Sequence, residues 1–338
     1  MYDTAVLVQP LRIGPVAIRN RVFLAPMSGV TDEPFRRRAY EHGAGLVVSE
    51  MVASGELARG RMGFDLRIRH SGLPVHMVQL AGREAHHMRE AARIAEGEGA
   101  DIIDINMGCP AKKVTGGYAG SALMRDLDHA LTLIDAVIDA VKVPVTLKTR
   151  LGWDENALNA PDLARRAEQA GIRMVTIHGR TRCQFYKGKA DWPAIRQIKN
   201  AVSIPVVANG DVSSTADAVA LLEVSGADAV MVGRAHYGAP WLAGSIVAEM
   251  CSKPASAALA DYVISHYEDM LLLYGVESGV RQARKHLGWY LDRHAPTTSP
   301  EQRKTILTSF DPRQVIAELR EAFRWAGCAR HGRLRSAA

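Results

Sequence analysis

Short apolar runs rich in Val, Ile and Ala recur through the first 240 residues, at 22–26, 46–49, 75–79, 101–106, 145–148, 174–178, 206–209 and 229–233. Between them, segments 84–98, 128–141, 161–170, 192–201 and 214–225 place apolar residues at helical spacing. A strand followed by a helix, repeated, predicts parallel pairing. Eight such units predict an α/β chain closed as a (β/α)8 TIM barrel, since open doubly wound sheets commonly stop at five or six strands.

Beyond residue 240 the pattern changes. Segment 241–251 reads as the eighth barrel helix, which ends a barrel over residues 1–251. Residues 252–258 (Ser-Lys-Pro-Ala-Ser-Ala-Ala) read as a linker, and from there the periodicity is helical only. Segment 259–274 is apolar at 259, 263, 267, 270, 271 and 274 and ends at Gly275. Segment 280–291 buries Val280, Ala283, Leu287 and Leu291 and presents Arg281, Arg284 and Lys285 elsewhere. Two further helices are announced by Ser299-Pro300-Glu301-Gln302 and Asp311-Pro312-Arg313-Gln314, each a cap residue, a first-turn proline and a Gln three positions on. Gly327 is expected to stop the last. The prediction is an all-α four-helix bundle over 259–330, with 331–338 as a frayed tail.

The chemistry concentrates where the apolar runs end. Met27 and Ser28, Glu50, Gln79, Asn106, Lys148, His178, Asn209, Gly233 and Arg234 follow the runs in turn, and barrels build their active sites on that face. Helix caps alone would call for Ser, Thr, Asp or Asn and leave Gln79, Lys148 and His178 without a reason. Cys109 lies between Gly108 and Pro110, just past a strand, and opens a glycine-rich loop. An unassisted thiol has a pKa of about 8.5, so near neutral pH it is mostly protonated and can act as an acid. A nucleophile would need a base, and no His adjoins it in sequence.

Asn209-Gly210-Asp211 and Gly233-Arg234-Ala235 end the seventh and eighth runs, where barrels commonly bind phosphate through backbone N–H groups. No G-x-G-x-x-G follows the first strand, which argues against a Rossmann site. Lys148 reads either as a cation for an anionic ligand or as a Schiff-base lysine. The second needs a desolvated pocket, whereas Arg150 two residues on suggests a wet, anion-facing surface. Trp153, Phe185, Tyr186 and Trp192, beside Arg180, Arg182 and Lys187, suit base stacking and phosphate contact, although Trp192 is equally placed to pack its helix onto the barrel.

Composition narrows the class. With 47% apolar and 23% charged residues and no unbroken apolar run of about 18, neither disorder nor a membrane span is indicated. The N-terminus carries no secretory pattern, so a cytoplasmic protein is expected. Cysteines stand at 109, 183, 251 and 328 without a C-x-x-C pair, which suggests neither a disulfide framework nor a metal site. Cys183, Cys251 and Cys328 read as small buried hydrophobes. The net charge is +6, and residues 253–338 hold 13 Lys/Arg against 9 Asp/Glu. That bias is compatible with a polyanionic partner without requiring one.

Taken in order, several stretches resemble the tRNA-dihydrouridine synthase family, specifically its bacterial B-type branch. They are Ala25-Pro26-Met27-Ser28-Gly29-Val30-Thr31-Asp32, Ser49-Glu50-Met51, Gln79-Leu80-Ala81-Gly82, residues 106–114, Lys148-Thr149-Arg150-Leu151-Gly152-Trp153, His178-Gly179-Arg180-Thr181-Arg182, Asn209-Gly210-Asp211, Gly233-Arg234-Ala235 and Lys285-His286-Leu287-Gly288-Trp289-Tyr290. The resemblance implies FMN bound by Ala25, Pro26, Met27, Gln79, Lys148, His178, Asn209, Gly210, Asp211, Gly233 and Arg234. It implies NADPH as reductant, hydride transfer to C6 of a D-loop uridine, and protonation of C5 by Cys109. Asn106, Arg150, Tyr186 and Arg180 would hold the uridine, the helical segment would grip tRNA, and the chain would act as a monomer. Two other readings stay open. One is a flavin-dependent reductase of a free pyrimidine such as dihydroorotate, which leaves the basic helical tail idle. The other is a non-enzymatic, flavin-holding RNA-binding regulator, for which Cys109 would be dispensable.

Overall fold

Eight parallel strands form the framework: β1 (Val22–Leu24), β2 (Leu46–Val47), β3 (Met77–Ala81), β4 (Ile102–Met107), β5 (Val145–Arg150), β6 (Val175–His178), β7 (Val206–Asn209) and β8 (Ala229–Val232). The computed structural model describes residues 4–60, 65–248, 254 and 258–328. The strands hydrogen-bond in the order β2-β1-β8-β7-β6-β5-β4-β3, with a short strand, Val52–Ala53, beside β3. The ring closes through the parallel bridge Val48↔Met77, where the Ser49 N–H donates to Met77 O at 3.0 Å. All eight predicted strands are present, so the TIM barrel stands.

Side-chain alternation separates two environments. Val22, Leu24, Val78, Leu80, Ile103, Ile105, Leu147 and Ile177 face the helix layer. Phe23, Leu46, Met77, Ile102, Val207 and Met231 face inward. An antiparallel hairpin of Leu11–Ile13 and Val16–Ile18 adds Leu11, Ile13 and Ile18 to that inner cluster. Its three-residue strands are too short to register as a periodic pattern, and the sequence reading had no place for it. The apolar inner cluster draws on the N-terminal halves of the strands, and the polar inward residues occupy the C-terminal halves.

The helix layer comprises α1 (Glu33–Glu41), α2 (Ala85–Gly97), α3 (Leu127–Ile138), α4 (Ala160–Ala170), α5 (Trp192–Ala201), α6 (Thr215–Ser225) and α7 (Leu242–Val247). Short helices Ser54–Ala58 and Asp65–Ile68 follow β2. The last barrel helix is shorter than the predicted 241–251: Ala248 lies outside it with an extended backbone, and residues 249–251 lie outside the described residues.

Four helices follow: α8 (Leu259–Tyr274), α9 (Val276–His294), α10 (Pro300–Thr308) and α11 (Pro312–Cys328). The predicted Ser299 cap forms, its hydroxyl accepting the Gln302 N–H at 3.2 Å. α9 starts four residues before the predicted 280, because Val276 and Glu277 are exposed and offer no apolar stripe to read. α11 passes through Gly327 to Cys328 rather than stopping before it. The predicted linker 252–258, apart from Pro254 and Ala258, and the tail 331–338 lie outside the described residues.

Of the four, α8 and α9 dock on α1 and on the segment after β8 that holds His236, Tyr237 and Trp241, through aromatic and imidazole rings. Phe35 is 1% exposed, with ring centroids 6.5 Å from His236, 5.9 Å from His266 and 5.6 Å from His286. Tyr237 stacks on Trp289 at 3.9 Å, Arg38 pairs with Asp269 at 2.7 Å, and the Tyr274 hydroxyl donates to Asp32 at 3.2 Å. Gly238 has a φ of +67°, and a Cβ there would lie 2.5 Å from Trp289 O, so the close approach of the two segments requires glycine.

Burial depresses the pKa of all three imidazoles, His236 to about 4, His286 to about 3 and His266 well below its usual value. The unfolded value is about 6.5, so the stabilising contribution is full above that pH and is lost as pH falls through about 4 and then about 3. Asp32, raised to about 6 by burial, and Asp104, also raised, have the opposite sign, but burial lowers His76 and His178 as well, which makes two groups against five. The melting temperature is expected to fall steadily from pH 6.5 to pH 4. A flat profile over that range in a thermal scan would contradict the neutral, buried imidazoles.

Candidate active site

A cavity of about 840 Å³ occupies the C-terminal mouth of the barrel, within the roughly 300–1,000 Å³ usual for ligand sites. Each strand end contributes to it: Ala25, Pro26 and Met27 after β1, Met51 after β2, Gln79 from β3, Asn106 and Cys109 from β4, Lys148 and Arg150 from β5, His178 and Tyr186 from β6, Asn209, Gly210 and Asp211 from β7, and Gly233 and Arg234 from β8. Strand register explains the gathering. Asn106 lies beside Lys148, Arg150 beside His178, and His178 beside Asn209, and neighbours in parallel register face the same side.

Arg180 is the exception among the predicted residues, because it does not line the cavity. It is 1% exposed, with Nε donating to Lys187 O at 3.0 Å and Nη2 to Gly188 O at 2.7 Å and to Asp211 Oδ2 at 2.6 Å. It thus braces the loop after β6 against the turn after β7. Asp211 sits at φ +58°, uncommon for a non-glycine residue, and also accepts the Ala190 N–H at 2.7 Å. Arg180→Lys is expected to lower the melting temperature and weaken retention of any ligand held by Asn209–Asp211, since a single ammonium cannot span this forked set. An unchanged melting temperature and ligand retention would remove the bracing role.

The cavity is strongly cationic. Lys148 is enclosed, and burial with Arg150 nearby lowers its pKa to about 8. Its Nζ donates to Asn209 Oδ1 at 3.1 Å. Burial lowers Arg150 to about 10 and His178 well below its usual value, with Arg150, Lys148, Arg180 and Arg234 adding repulsion at His178. Arg150 is 1% exposed and donates to the carbonyls of Gly108, Thr181 and Phe185. The expectation of a wet surface beside Lys148 is therefore wrong: Arg150 folds inward because unpaired loop carbonyls need its five donors. Lys148 nevertheless stays largely protonated at neutral pH, as an anion-binding cation requires.

Two turns add neutral donors. The N–H groups of Gly210, Asp211, Arg234 and Ala235 donate to no acceptor among the described residues, although backbone donors away from water are usually paired. With the cations around them they suit a bound phosphate.

One important residue escaped the sequence reading. Asp104, 1% exposed, accepts Gln79 Nε2 and Thr146 Oγ1, each at 2.6 Å. Burial raises its pKa, opposed by these hydrogen bonds and by Lys148. Gln79 Oε1 accepts Asn106 Nδ2 at 2.7 Å, and Asn106 Oδ1 accepts the N–H groups of Gly108 at 3.1 Å and Cys109 at 3.0 Å. An inward-phased Asp within Ile-Ile-Asp-Ile was the available signal. Cys109 is a half-buried free thiol on the cavity wall. Cys183 is exposed rather than buried, because its loop lies over the surface, tied by its N–H to Trp153 O at 2.9 Å. Trp192 packs its helix and also donates to Gly210 O at 3.0 Å. Glu84, His86 and His87 bring ligand atoms within 4.8 Å of one another, but none of them lines the cavity. No helix among the described residues is long and apolar enough to cross a membrane.

Fold and site together define a barrel enzyme with a cationic, thiol-bearing cup. Residues 23–326 match the dihydrouridine synthase (Dus) family, and the chain belongs to that family of oxidoreductases. It is 59% identical over 307 residues to a probable tRNA-dihydrouridine synthase of Rhizobium leguminosarum bv. phaseoli, covering 91% of this chain and 96% of that one. It is 46% identical to tRNA-dihydrouridine synthase B of Xanthomonas axonopodis pv. citri, covering 93% and 96%. Among solved structures it shares its fold with morphinone reductase at a TM-score of 0.55 and 16% identity, covering 75% of this chain and 92% of that one.

Proposed function

We propose that the protein reduces one D-loop uridine of tRNA to 5,6-dihydrouridine, with FMN as resident cofactor and NADPH as reductant. The observation that carries this reading is that Cys109, Lys148 and His178 share one cavity. The residues present fit FMN: the cup holds more buried positive charge than its carboxylates balance, and it offers unpaired backbone donors in the two turns after β7 and β8. Asn209, Gly210, Asp211, Gly233 and Arg234 would hold the phosphate, and Ala25, Pro26, Met27, Gln79, Lys148 and His178 the ring system. When bound and reduced, FMN supplies the hydride that goes to uracil C6.

The chain's own residues do the rest. The Cys109 thiol delivers a proton to C5 as general acid. Asn106, Arg150 and Tyr186 hold the uracil, with Tyr186 flanked by the guanidinium groups of Arg150 at 5.4 Å and Arg234 at 4.6 Å. Arg180 acts behind them as a brace. A uracil stacked within tRNA must be flipped out to enter the cup. Residues 1–251 carry the catalytic site, and residues 259–330 grip the tRNA backbone while a monomer acts in the cytoplasm.

The test is incubation of purified protein with NADPH and an unmodified tRNA transcript, followed by mapping of dihydrouridine. The expected result is a yellow protein containing FMN and one modified D-loop position. A colourless protein that cannot be reconstituted, or turnover of dihydroorotate without any change in tRNA, would overturn the reading.

A further inference from the structure

We infer that Asp104, which does not touch the cavity, is a positioning residue that sets the orientation of Cys109 through two side-chain amides. The inference rests on the proposed role of Cys109 as the acid. Both Asp104 oxygens act as acceptors, whereas each amide has one accepting and one donating end. Asp104 Oδ2 takes the Nε2 end of Gln79 at 2.6 Å. The Gln79 oxygen must then face Asn106, and it accepts Nδ2 at 2.7 Å. The Asn106 oxygen is thereby left for the N–H groups of Gly108 and Cys109, at 3.1 and 3.0 Å. Reversal of Asn106 would bring its NH2 group against those N–H groups, and reversal of Gln79 would bring its NH2 group against that of Asn106; either would release the start of the Cys109 loop. Thr146 Oγ1 on Oδ1 holds the carboxylate from the other side. One buried acceptor therefore fixes the polarity of a chain that runs from the floor of the cup to the backbone of the acid.

The experiment uses the flavin-loaded protein and three variants. Asp104→Asn keeps an acceptor toward Gln79 and turns its NH2 toward Thr146, whose hydroxyl rotates to accept. Asp104→Leu removes the acceptor at similar volume. Asp104→Met repeats the removal with a more adaptable side chain, should Leu prevent folding. The half-reactions are read separately, as flavin reduction by NADPH and single-turnover reoxidation by tRNA. Cys109 alkylation by iodoacetamide is followed by peptide mass in the absence of tRNA.

In the Leu or Met variant, reoxidation by tRNA is expected to slow roughly 10²-fold, the loss typical of a misplaced catalytic group. Flavin reduction should stay within about twofold of the parent, a bound set by a site that otherwise keeps its geometry, and Cys109 should alkylate faster. Asp104→Asn should match the parent in all three. Equal slowing of both half-reactions would assign Asp104 to general packing, and an Asn variant as impaired as Leu would assign the effect to charge. Either result overturns the inference, as does an unchanged alkylation rate. If the parent made no dihydrouridine, the role of the acid would fall, while alkylation would still report whether Asp104 holds the Cys109 loop.

Discussion

Cys109→Ala is expected to keep flavin and bind tRNA as the parent does, yet form dihydrouridine roughly 10²- to 10⁴-fold more slowly, the usual contribution of a positioned general acid. Cys109 lines the cavity and its side chain makes no hydrogen bond among the described residues, so its removal leaves no buried partner unsatisfied. The backbone N–H at 109, which Asn106 holds, is retained in the variant. Reduction of the flavin by NADPH precedes any proton delivery and should be unaffected. The measurement is reoxidation of the reduced flavin by tRNA in a single turnover. Parent-like reoxidation in the variant would mean that the proton comes from elsewhere, and the role assigned to the thiol would be lost.

Phe35→Ala carries the largest expected effect on stability. The ring is 1% exposed and sits among three buried imidazoles drawn from the barrel, α8 and α9. Truncation of a buried Phe costs about 3–5 kcal/mol, and here the cavity would open on the seam between barrel and helices. The melting temperature should fall by roughly 5 °C, at about 1–2 °C per kcal/mol for a chain of 338 residues. Affinity for tRNA should fall further than affinity for flavin, because the seam orients the helices while the cup lies within the barrel. Phe35→Leu should recover part of the stability. Equal losses of flavin and tRNA affinity would show that the seam does not separate the two functions.

Pattern alone located the eight strands and most helices, since apolar residues with one period can be buried in only one way. It also located the cup, because polar residues at the ends of apolar runs in a barrel can gather only at the C-terminal rim. Every predicted site residue except Arg180 lines that cavity. Arg180 was misplaced because a sequence does not show whether a long cationic side chain turns outward to a ligand or inward to loop carbonyls. Arg150 deceived for the same reason.

By itself, then, the sequence determined the barrel, the helical tail and which residue types meet at the rim, all of which follow from local periodicity and chain order. Only the tertiary structure decided that Asp104 is hydrogen-bonded through Gln79 to Asn106, that Arg180 lies behind the cup and ties its loops together, and that imidazoles pack around Phe35 at the seam. Hydrogen-bond direction and burial depend on neighbours distant in sequence, and no local pattern encodes them.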